Sequence, residues 1–394
     1  MKGIDRVLAG LSPRQRAWFL AIGALYAVVA LAVGVHKGGD LVLELLQSER
    51  LIAGDPVYTQ LPARGMYWPP FALFALTPLA LLSRLSLALA KGAWVVGSLA
   101  CLGWSVARLA RTWGWRPALL AVPAVLVPMH ANFETLNVSI VLLALVVAAI
   151  VDVKDGRERR AGVWIGIATA LKAFPGLLLL YLAYRRRWRG LAVGMAVAGG
   201  LTYVAMLRYG PVGAFEAVGR WVTLSRDAQS LLGLTAQPLG TVVLSFGGTA
   251  TAVLVVDVLF LAAIVLAFAR RTPGDAAWNV LCEMAVVTIA AILVSPIGHY
   301  HYLVLAIPAW VAALSLPPPA GIASARVWRA TLIVAAVFLS GVLTFGLYPD
   351  IDVVKHYVRR HNYTWGALLL MSALLTRKRP SLAPNPQRAL SSAP

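Results

Sequence analysis

The chain has 394 residues, of which 60% are hydrophobic and only 13% are charged. Soluble globular proteins carry about 25% charged residues, so this composition excludes a soluble enzyme, and the high apolar content excludes a disordered chain. The formal net charge is +19. It would suggest nucleic-acid binding in a soluble protein, but in a membrane protein the positions of the charges are considered first.

Apolar stretches long enough to cross a bilayer, roughly 20 residues, recur along the chain. The longer ones are residues 17–36, 87–107, 136–151, 190–207, 250–269, 278–294, 302–316, 327–347 and 363–375. Shorter ones are residues 69–82, 117–128, 161–171 and 174–184. We therefore predict one all-α polytopic membrane domain over residues 1–394, with about 11–13 transmembrane or re-entrant helices. The first stretch is too long for a cleavable signal and is expected to be retained.

Twenty of the 35 basic residues fall in short segments between or beyond these stretches, and we predict that these segments are cytoplasmic. They are Lys2, Arg6, Arg14, Arg16, Lys154, Arg157, Arg159, Arg160, Arg185, Arg186, Arg187, Arg189, Arg270, Arg271, Arg326, Arg329, Arg377, Lys378, Arg379 and Arg388. Both tails, residues 1–16 and 376–394, are then cytoplasmic. The positive charge is mainly a topology signal, and nucleic acid is not needed to explain it. Arg84 and the 108–116 segment both look cytoplasmic although residues 87–107 could cross, so either a second re-entrant piece lies within residues 69–128 or one loop breaks the charge rule.

The segment Ala161–Tyr184 has basic residues on both sides, and its centre contains Lys172, Pro175 and Gly176. Proline and glycine disfavour a continuous helix, so we predict a re-entrant hairpin that enters and leaves on the cytoplasmic side. A lysine against lipid costs about 2.5–3.5 kcal/mol. Lys172 is therefore expected to face the protein interior, with a carboxylate such as Asp257 or Glu283 as a structural partner.

The opposite, external side holds all six histidines and most of the acidic residues in loops. The histidines are His36, His130, His299, His301, His356 and His361. Any chemistry is therefore expected at the external face. Both cysteines, Cys101 and Cys282, lie in apolar stretches and indicate neither a disulfide framework nor a zinc site. The His299-x-His301 pair alone makes a weak metal site, so we predict no metal and no cofactor.

The first external segment begins Gly38-Gly39-Asp40 and continues with apolar residues at helical spacing up to Gly54. It predicts an amphipathic helix in the interface, with Gly54 as its C-terminal stop and Asp40 at the N-cap. Asp40 has two compatible interpretations: a helix cap, or a reactive carboxylate placed where a lipid-borne substrate presents its head. Capping would hold its pKa down and keep it ionised.

Several motifs then occur in the order found in one known family. They are Asp40 after the first span, AGDPVY at 53–58, YWPPF at 67–71, AGVWIGIATALKAFPGLLLL at 161–180, Gln229-Ser230, and Ser295-Pro296-Ile297 followed by His301. The chain resembles glycosyltransferase family 87, whose members are GT-C-type membrane enzymes that use polyprenyl-phosphate mannose. The chain departs from the family pattern at Glu134, Thr135, Ala228, Gly298, His299 and Tyr302.

The resemblance implies an inverting glycosyltransferase of the bacterial inner membrane with an externally facing site. Its partners would be a polyprenyl-phosphate-linked sugar, most simply mannose, a lipid-linked or glycan acceptor, and membrane lipids. It implies Asp40 as the general base and His301 as the first choice for the leaving phosphate. Further candidates for the donor phosphate or sugar are His299, Arg64, Arg226, Gln229, Asn137, Glu134, Asp55, Arg359 and Arg360.

Two alternatives stay open. A GT-C transferase could use another polyprenyl-linked sugar, such as arabinose or galactose. A lipid or solute transporter would also explain the spans and a polar pocket, although transporters often show two matching halves with broken helices at equivalent places. Only one proline-broken hairpin is evident in this sequence.

Overall fold

The computed structural model describes residues 12–58, 68–227, 238–269, 276–296, 298–316, 321–342 and 360–376. The described chain is built from helices, and we number the α-helices in chain order. The first nine are α1 Pro13–His36, α2 Gly39–Ala53, α3 Pro70–Ala75, α4 Thr77–Leu85, α5 Leu87–Trp113, α6 Trp115–Ala121, α7 Leu126–Thr135, α8 Ser139–Lys154 and α9 Glu158–Leu171. The others are α10 Leu177–Tyr184, α11 Trp188–Val204, α12 Gly210–Asp227, α13 Leu239–Ser245, α14 Ala250–Ala269, α15 Ala276–Leu293, α16 Ile307–Leu314, α17 Ile322–Ser340 and α18 Asn362–Leu375. Short 3₁₀ turns lie at Pro123–Val125, Phe174–Gly176, Leu207–Tyr209 and Tyr300–Ala306.

Five helical segments in the described part of the chain are long and apolar enough to cross a membrane. They are Pro13–His36, Leu87–Trp113, Trp115–Thr135, Ala250–Ala269 and Ile322–Ser340. A sixth arises if α11 and the segment 207–225, which bends away from it by 48°, form one span. Shorter apolar helices such as α10 and α18 pack among them. The predicted all-α polytopic membrane fold is confirmed.

The largest hydrophobic core surrounds α8, α15 and α16, whose side chains are buried along most of their length. Helix α1 and helix α14 instead expose apolar side chains such as Ile22 and Leu254 on their outer surfaces. That pattern is typical of lipid-facing helices around an enclosed interior, since a bilayer can cover apolar side chains that water would not.

In the region 69–128, helix α5 runs unbroken for 27 residues. Arg84, just before α5, lies with its Nε 3.7 Å from Glu49 Oε1 on α2. Arg108, near the other end of α5, interacts electrostatically with Asp155 in the basic segment after α8. The two basic regions therefore lie at opposite ends of α5, so they cannot both be cytoplasmic if α5 crosses the membrane.

The predicted hairpin is present. Helix α9 ends at Leu171, Lys172 has an extended backbone, and α10 begins after the turn at Phe174–Gly176. Near the base of the hairpin, Arg187 Nη1 lies 3.2 Å from Glu158 Oε1. Gly162 and Gly190 allow α9 and α11 to touch, because a Cβ atom on Gly162 would lie 2.2 Å from the carbonyl oxygen of Gly190. Such close contacts between small residues are typical of helix pairs in membranes.

Candidate functional site

Helix α2 starts two residues earlier than the sequence suggests. Gly38 is the N-cap, in a left-handed conformation with φ of +63°, and Leu136 Cδ1 would lie 2.8 Å from a Cβ atom there. Asp40 is therefore the second residue of the helix, in its first turn. The prediction that the Asp40 side chain caps α2 is wrong, because no side chain caps this N-terminus. The carboxylate is left free to contact other elements. Gly54 does end α2, with φ of +86°, as predicted.

Asn137, on the turn between α7 and α8, holds the Asp40 carboxylate. Its Nδ2 donates a hydrogen bond of 3.0 Å to Asp40 Oδ2. The hydroxyl of Ser139 donates to Asn137 Oδ1, also at 3.0 Å, and this bond orients the amide so that its NH₂ group points to Asp40. Asp40 is half-buried, whereas Asn137 is buried. The carboxylate is thus held by the turn between α7 and α8, while Asp40 stays partly accessible.

Glu44 lies one helical turn after Asp40 on the same face of α2 and is only 3% exposed. The backbone N–H of Trp68 donates to its carboxylate. The polar side of α2 accordingly faces protein: Gln47 and Ser48 are buried too, and the Ser48 hydroxyl donates to the carbonyl oxygen of Leu73 at 2.9 Å. The sequence showed these residues only as the polar side of an amphipathic helix.

Lys172, at the tip of the hairpin, reaches this pair of carboxylates. It is buried, and it interacts electrostatically with both Glu44 and Asp40. Its ammonium nitrogen lies 5.1 Å from the ring centre of Trp68 and 5.7 Å from that of Tyr302, within the range of cation–π attraction. The cation therefore has two carboxylates and two aromatic rings around it.

The structural partners predicted for Lys172 were wrong. Glu283 binds Arg185, and it accepts a 3.1 Å hydrogen bond from the Tyr181 hydroxyl. Asp257 is not among the groups that interact with Lys172.

The pKa values of both acids on α2 are raised. Burial raises the pKa of Asp40 above its ordinary value, while the hydrogen bond from Asn137 and the charge of Lys172 oppose that rise. Burial likewise raises the pKa of Glu44, and the nearby charge of Asp40 adds to the effect. The predicted lowering of the Asp40 pKa is therefore wrong, because desolvation outweighs the favourable contacts.

His301 lies in the 3₁₀ turn that carries Tyr302. Its ring stacks on His299, with centres 5.2 Å apart and planes 13° apart, and it meets Tyr302 edge-on at 4.6 Å. Its Nε2 is buried and has no hydrogen-bond partner within the described residues. His301 also interacts electrostatically with Lys172. His301 therefore lies close to Lys172.

The remaining predicted residues are only partly brought together. Glu134 lies near the cluster at the end of α7, where it binds the exposed Lys37 at 2.6 Å. Asp55 is exposed at the far end of α2, about 20 Å of helix away from Asp40. Arg360 is half-buried just before α18. Arg64, Gln229 and Arg359, and the side chain of Arg226, lie outside the described residues.

Sequence reasoning missed Glu44, Trp68 and Tyr302 as parts of the cluster. One signal was available for Glu44, since residues four apart share a helix face.

Among the described residues, no group of three or more His, Cys, Asp or Glu side chains is placed to hold a metal ion. The arrangement offers an oriented, partly accessible carboxylate with a buried cation beside it. Such a pair can take a proton and stabilise a developing negative charge.

Comparisons with known proteins agree with the motifs. The sequence model described as glycosyltransferase family 87 matches residues 67–296. A polyprenol-phosphate-mannose-dependent alpha-(1-2)-phosphatidylinositol mannoside mannosyltransferase from Mycolicibacterium smegmatis (strain ATCC 700084 / mc(2)155) is 28% identical over 255 residues, which are 60% of this chain and 54% of the relative. The chain thus matches about half the length of that curated relative. No solved structure matches the chain.

Proposed function

Since the chain belongs to glycosyltransferase family 87, we propose that it transfers a sugar, most simply mannose, from a polyprenyl-phosphate donor to a lipid-linked acceptor. The observation that carries the proposal is the Asp40 carboxylate, held by Asn137 at 3.0 Å next to the buried Lys172. The relative from Mycolicibacterium smegmatis is named for a polyprenol-phosphate-mannose donor and a phosphatidylinositol mannoside acceptor. Those two compounds are the first to test.

The reaction follows from the chemistry of the cluster. An acceptor hydroxyl approaches the open side of Asp40, and its oxygen attacks the anomeric carbon of the donor sugar. The carbon–oxygen bond to the phosphate breaks, the electron pair leaves with the polyprenyl phosphate, and the hydroxyl proton passes to Asp40. One displacement of this kind inverts the anomeric configuration. A positioned base contributes about 10²–10⁴-fold to such a rate.

The leaving phosphate needs positive charge or hydrogen-bond donors. Lys172 is the buried cation of the cluster, and we assign it this part together with His301, whose Nε2 is unpaired within the described residues. Trp68 and Tyr302 exclude water from the ammonium, which strengthens its attraction for an anion. In this displacement, Asp40 thus accepts the proton of the attacking hydroxyl, and Lys172 stabilises the leaving phosphate.

We assign the site to the outer face of the bacterial inner membrane. Arg187 and Glu158 pair at the base of the hairpin, and its tip, Lys172, reaches the end that carries α2. The basic segments therefore lie at the opposite end of the hairpin from Asp40. Cytoplasmic loops are enriched in lysine and arginine, and this enrichment supports an external position for Asp40.

The test is to incubate membranes that contain the protein with radiolabelled polyprenyl-phosphate mannose and phosphatidylinositol mannosides. We expect labelled glycolipid and free polyprenyl phosphate in equal amounts. Parallel reactions with polyprenyl-phosphate arabinose and galactose identify the donor sugar. If a substrate crosses the membrane with its sugar–phosphate bond intact, the protein is a transporter and the proposal fails.

A further inference from the structure

A basic groove lies near the base of the hairpin, at the end of the molecule opposite Asp40. It has a volume of about 740 Å³ and is formed by the segment between α8 and α9, the segment between α10 and α11, and the first turns of α9 and α11. It is lined by Arg157, Arg159, Arg160, Arg186, Arg189 and Trp188, and also by Glu158, whose carboxylate pairs with Arg187. None of these takes part in the proposed transfer reaction.

Acidic residues neutralise only part of this charge. Asp152 is buried and lies 2.7 Å from Arg157 Nε and 3.5 Å from Arg160 Nε. Within the part of the chain that the structure describes, Arg159, Arg186 and Arg189 form no ion pair with a carboxylate. All three are exposed. The groove therefore presents three guanidinium groups that an external anion can reach.

The surface next to the groove is apolar. Trp188 lines the groove and is 60% exposed, and Met195, two turns further along the same face of α11, is 59% exposed. Leu180 on the neighbouring α10 is 64% exposed. In a membrane protein, exposed apolar side chains at this density are typical of a surface that lipid covers, and tryptophan is enriched at the level of lipid headgroups. An anion held by the arginines would lie where acyl chains could continue along α10 and α11.

We propose that this groove binds the headgroup of an anionic phospholipid. Its phosphate accepts hydrogen bonds from Arg186, Arg189 and Arg159, because guanidinium groups bind phosphate in a bidentate manner. Its acyl chains cover Trp188 and Leu180. Basic pockets between membrane helices on the cytoplasmic side are known to recognise such headgroups. The free phosphate ion shares the headgroup chemistry but would gain nothing from the apolar surface.

The experiment is a lipid titration of the full-length protein in mild detergent, with bound lipids counted by native mass spectrometry. Phosphatidylglycerol is compared with zwitterionic phosphatidylcholine, and inorganic phosphate is added as a competitor. The groove variant is R186Q with R189Q. The matched control is R326Q with R329Q, which removes the same charge from exposed arginines of α17 that do not line the groove.

We expect the parent protein to prefer phosphatidylglycerol over phosphatidylcholine by about tenfold or more, since each nearby arginine strengthens anionic lipid binding several-fold. The groove variant should lose this preference and the control should keep it. If the groove variant fails to fold, R159Q provides the same comparison with one charge. Equal loss in groove and control variants, an unchanged preference in the groove variant, or displacement of the lipid by equimolar inorganic phosphate would overturn the proposal.

Discussion

The amide of Asn137 donates a 3.0 Å hydrogen bond to the carboxylate of Asp40, across 97 residues of sequence. This bond joins the turn after α7 to the first turn of α2. It favours the ionised form of the acid while burial favours the protonated form. Asn137 therefore contributes, against burial, to the fraction of Asp40 that is ionised at a given pH.

Replacing Asn137 by leucine should shift the acid limb of the pH profile of kcat/KM to higher pH. The bond favours ionised Asp40, so its loss raises the pKa further, and less of the base is deprotonated at any pH on the limb. A hydrogen bond to a charged group is worth about 1.5–3 kcal/mol, so the shift should be about one pH unit or more. A pH–rate profile measures it.

Ser139→Ala serves as the graded comparison for this variant. It removes the bond that orients the amide but leaves the amide present, so it should shift the limb in the same direction by less. An Asn137→Leu profile that coincides with the parent profile would show that the bond does not control the base.

Lys172 and Lys91 provide a second matched pair, since both are buried lysines. Lys172→Met should reduce kcat by about 10²-fold, because the leaving phosphate loses its cation. It should also move the acid limb to higher pH, because the ammonium lowers the pKa of Asp40.

Lys91 instead donates to the carbonyl oxygens of Val35 and Lys37 at 3.3 and 2.8 Å, at the end of α1. Lys91→Met should lower the thermal stability and leave the pH profile of the folded fraction unchanged. Steady-state kinetics and thermal denaturation in the same detergent separate the two effects. If both variants behave alike, Lys172 has a structural part only.

The contact between α9 and α11 leads to a stability prediction. Gly162→Ala places a methyl group 2.2 Å from the carbonyl oxygen of Gly190, so the helices must separate. Overpacking of this kind costs about 1–3 kcal/mol. A Cβ atom on Gly199, which lies on α11, would meet no atom within 4 Å. Gly199→Ala should therefore be neutral or stabilise the protein by about 0.5–1 kcal/mol. Thermal denaturation tests both, and equal melting temperatures would contradict the observed packing.

Local sequence signals predicted the elements well. Pro175 and Gly176 marked the break in the hairpin, and Gly54 marked the end of α2. The start of α2 could not be predicted, because Lys37-Gly38-Gly39-Asp40 offers several possible caps. The choice depends on the left-handed conformation of Gly38, against which Leu136 packs tightly.

The partners of Lys172 could not be predicted from local sequence signals. Lys172 interacts with Glu44, which is 128 positions away in the sequence, and helical periodicity carries no information about such a contact. The same holds for the pKa of Asp40, which depends on burial by distant helices. The acid itself could be found from its position after the first span, but its electrostatic surroundings required the tertiary structure.

The central claim is that Asp40 is the base of the transfer reaction, and Asp40→Asn tests it most directly. The amide keeps the shape of the side chain but cannot take the proton. Asp55→Asn is the matched control, because this exposed acid lies at the far end of the same helix. In single-turnover transfer from polyprenyl-phosphate mannose, Asp40→Asn should be slower by about 10²–10⁴-fold and Asp55→Asn should match the parent protein. Transfer by Asp40→Asn at the parent rate would contradict the account.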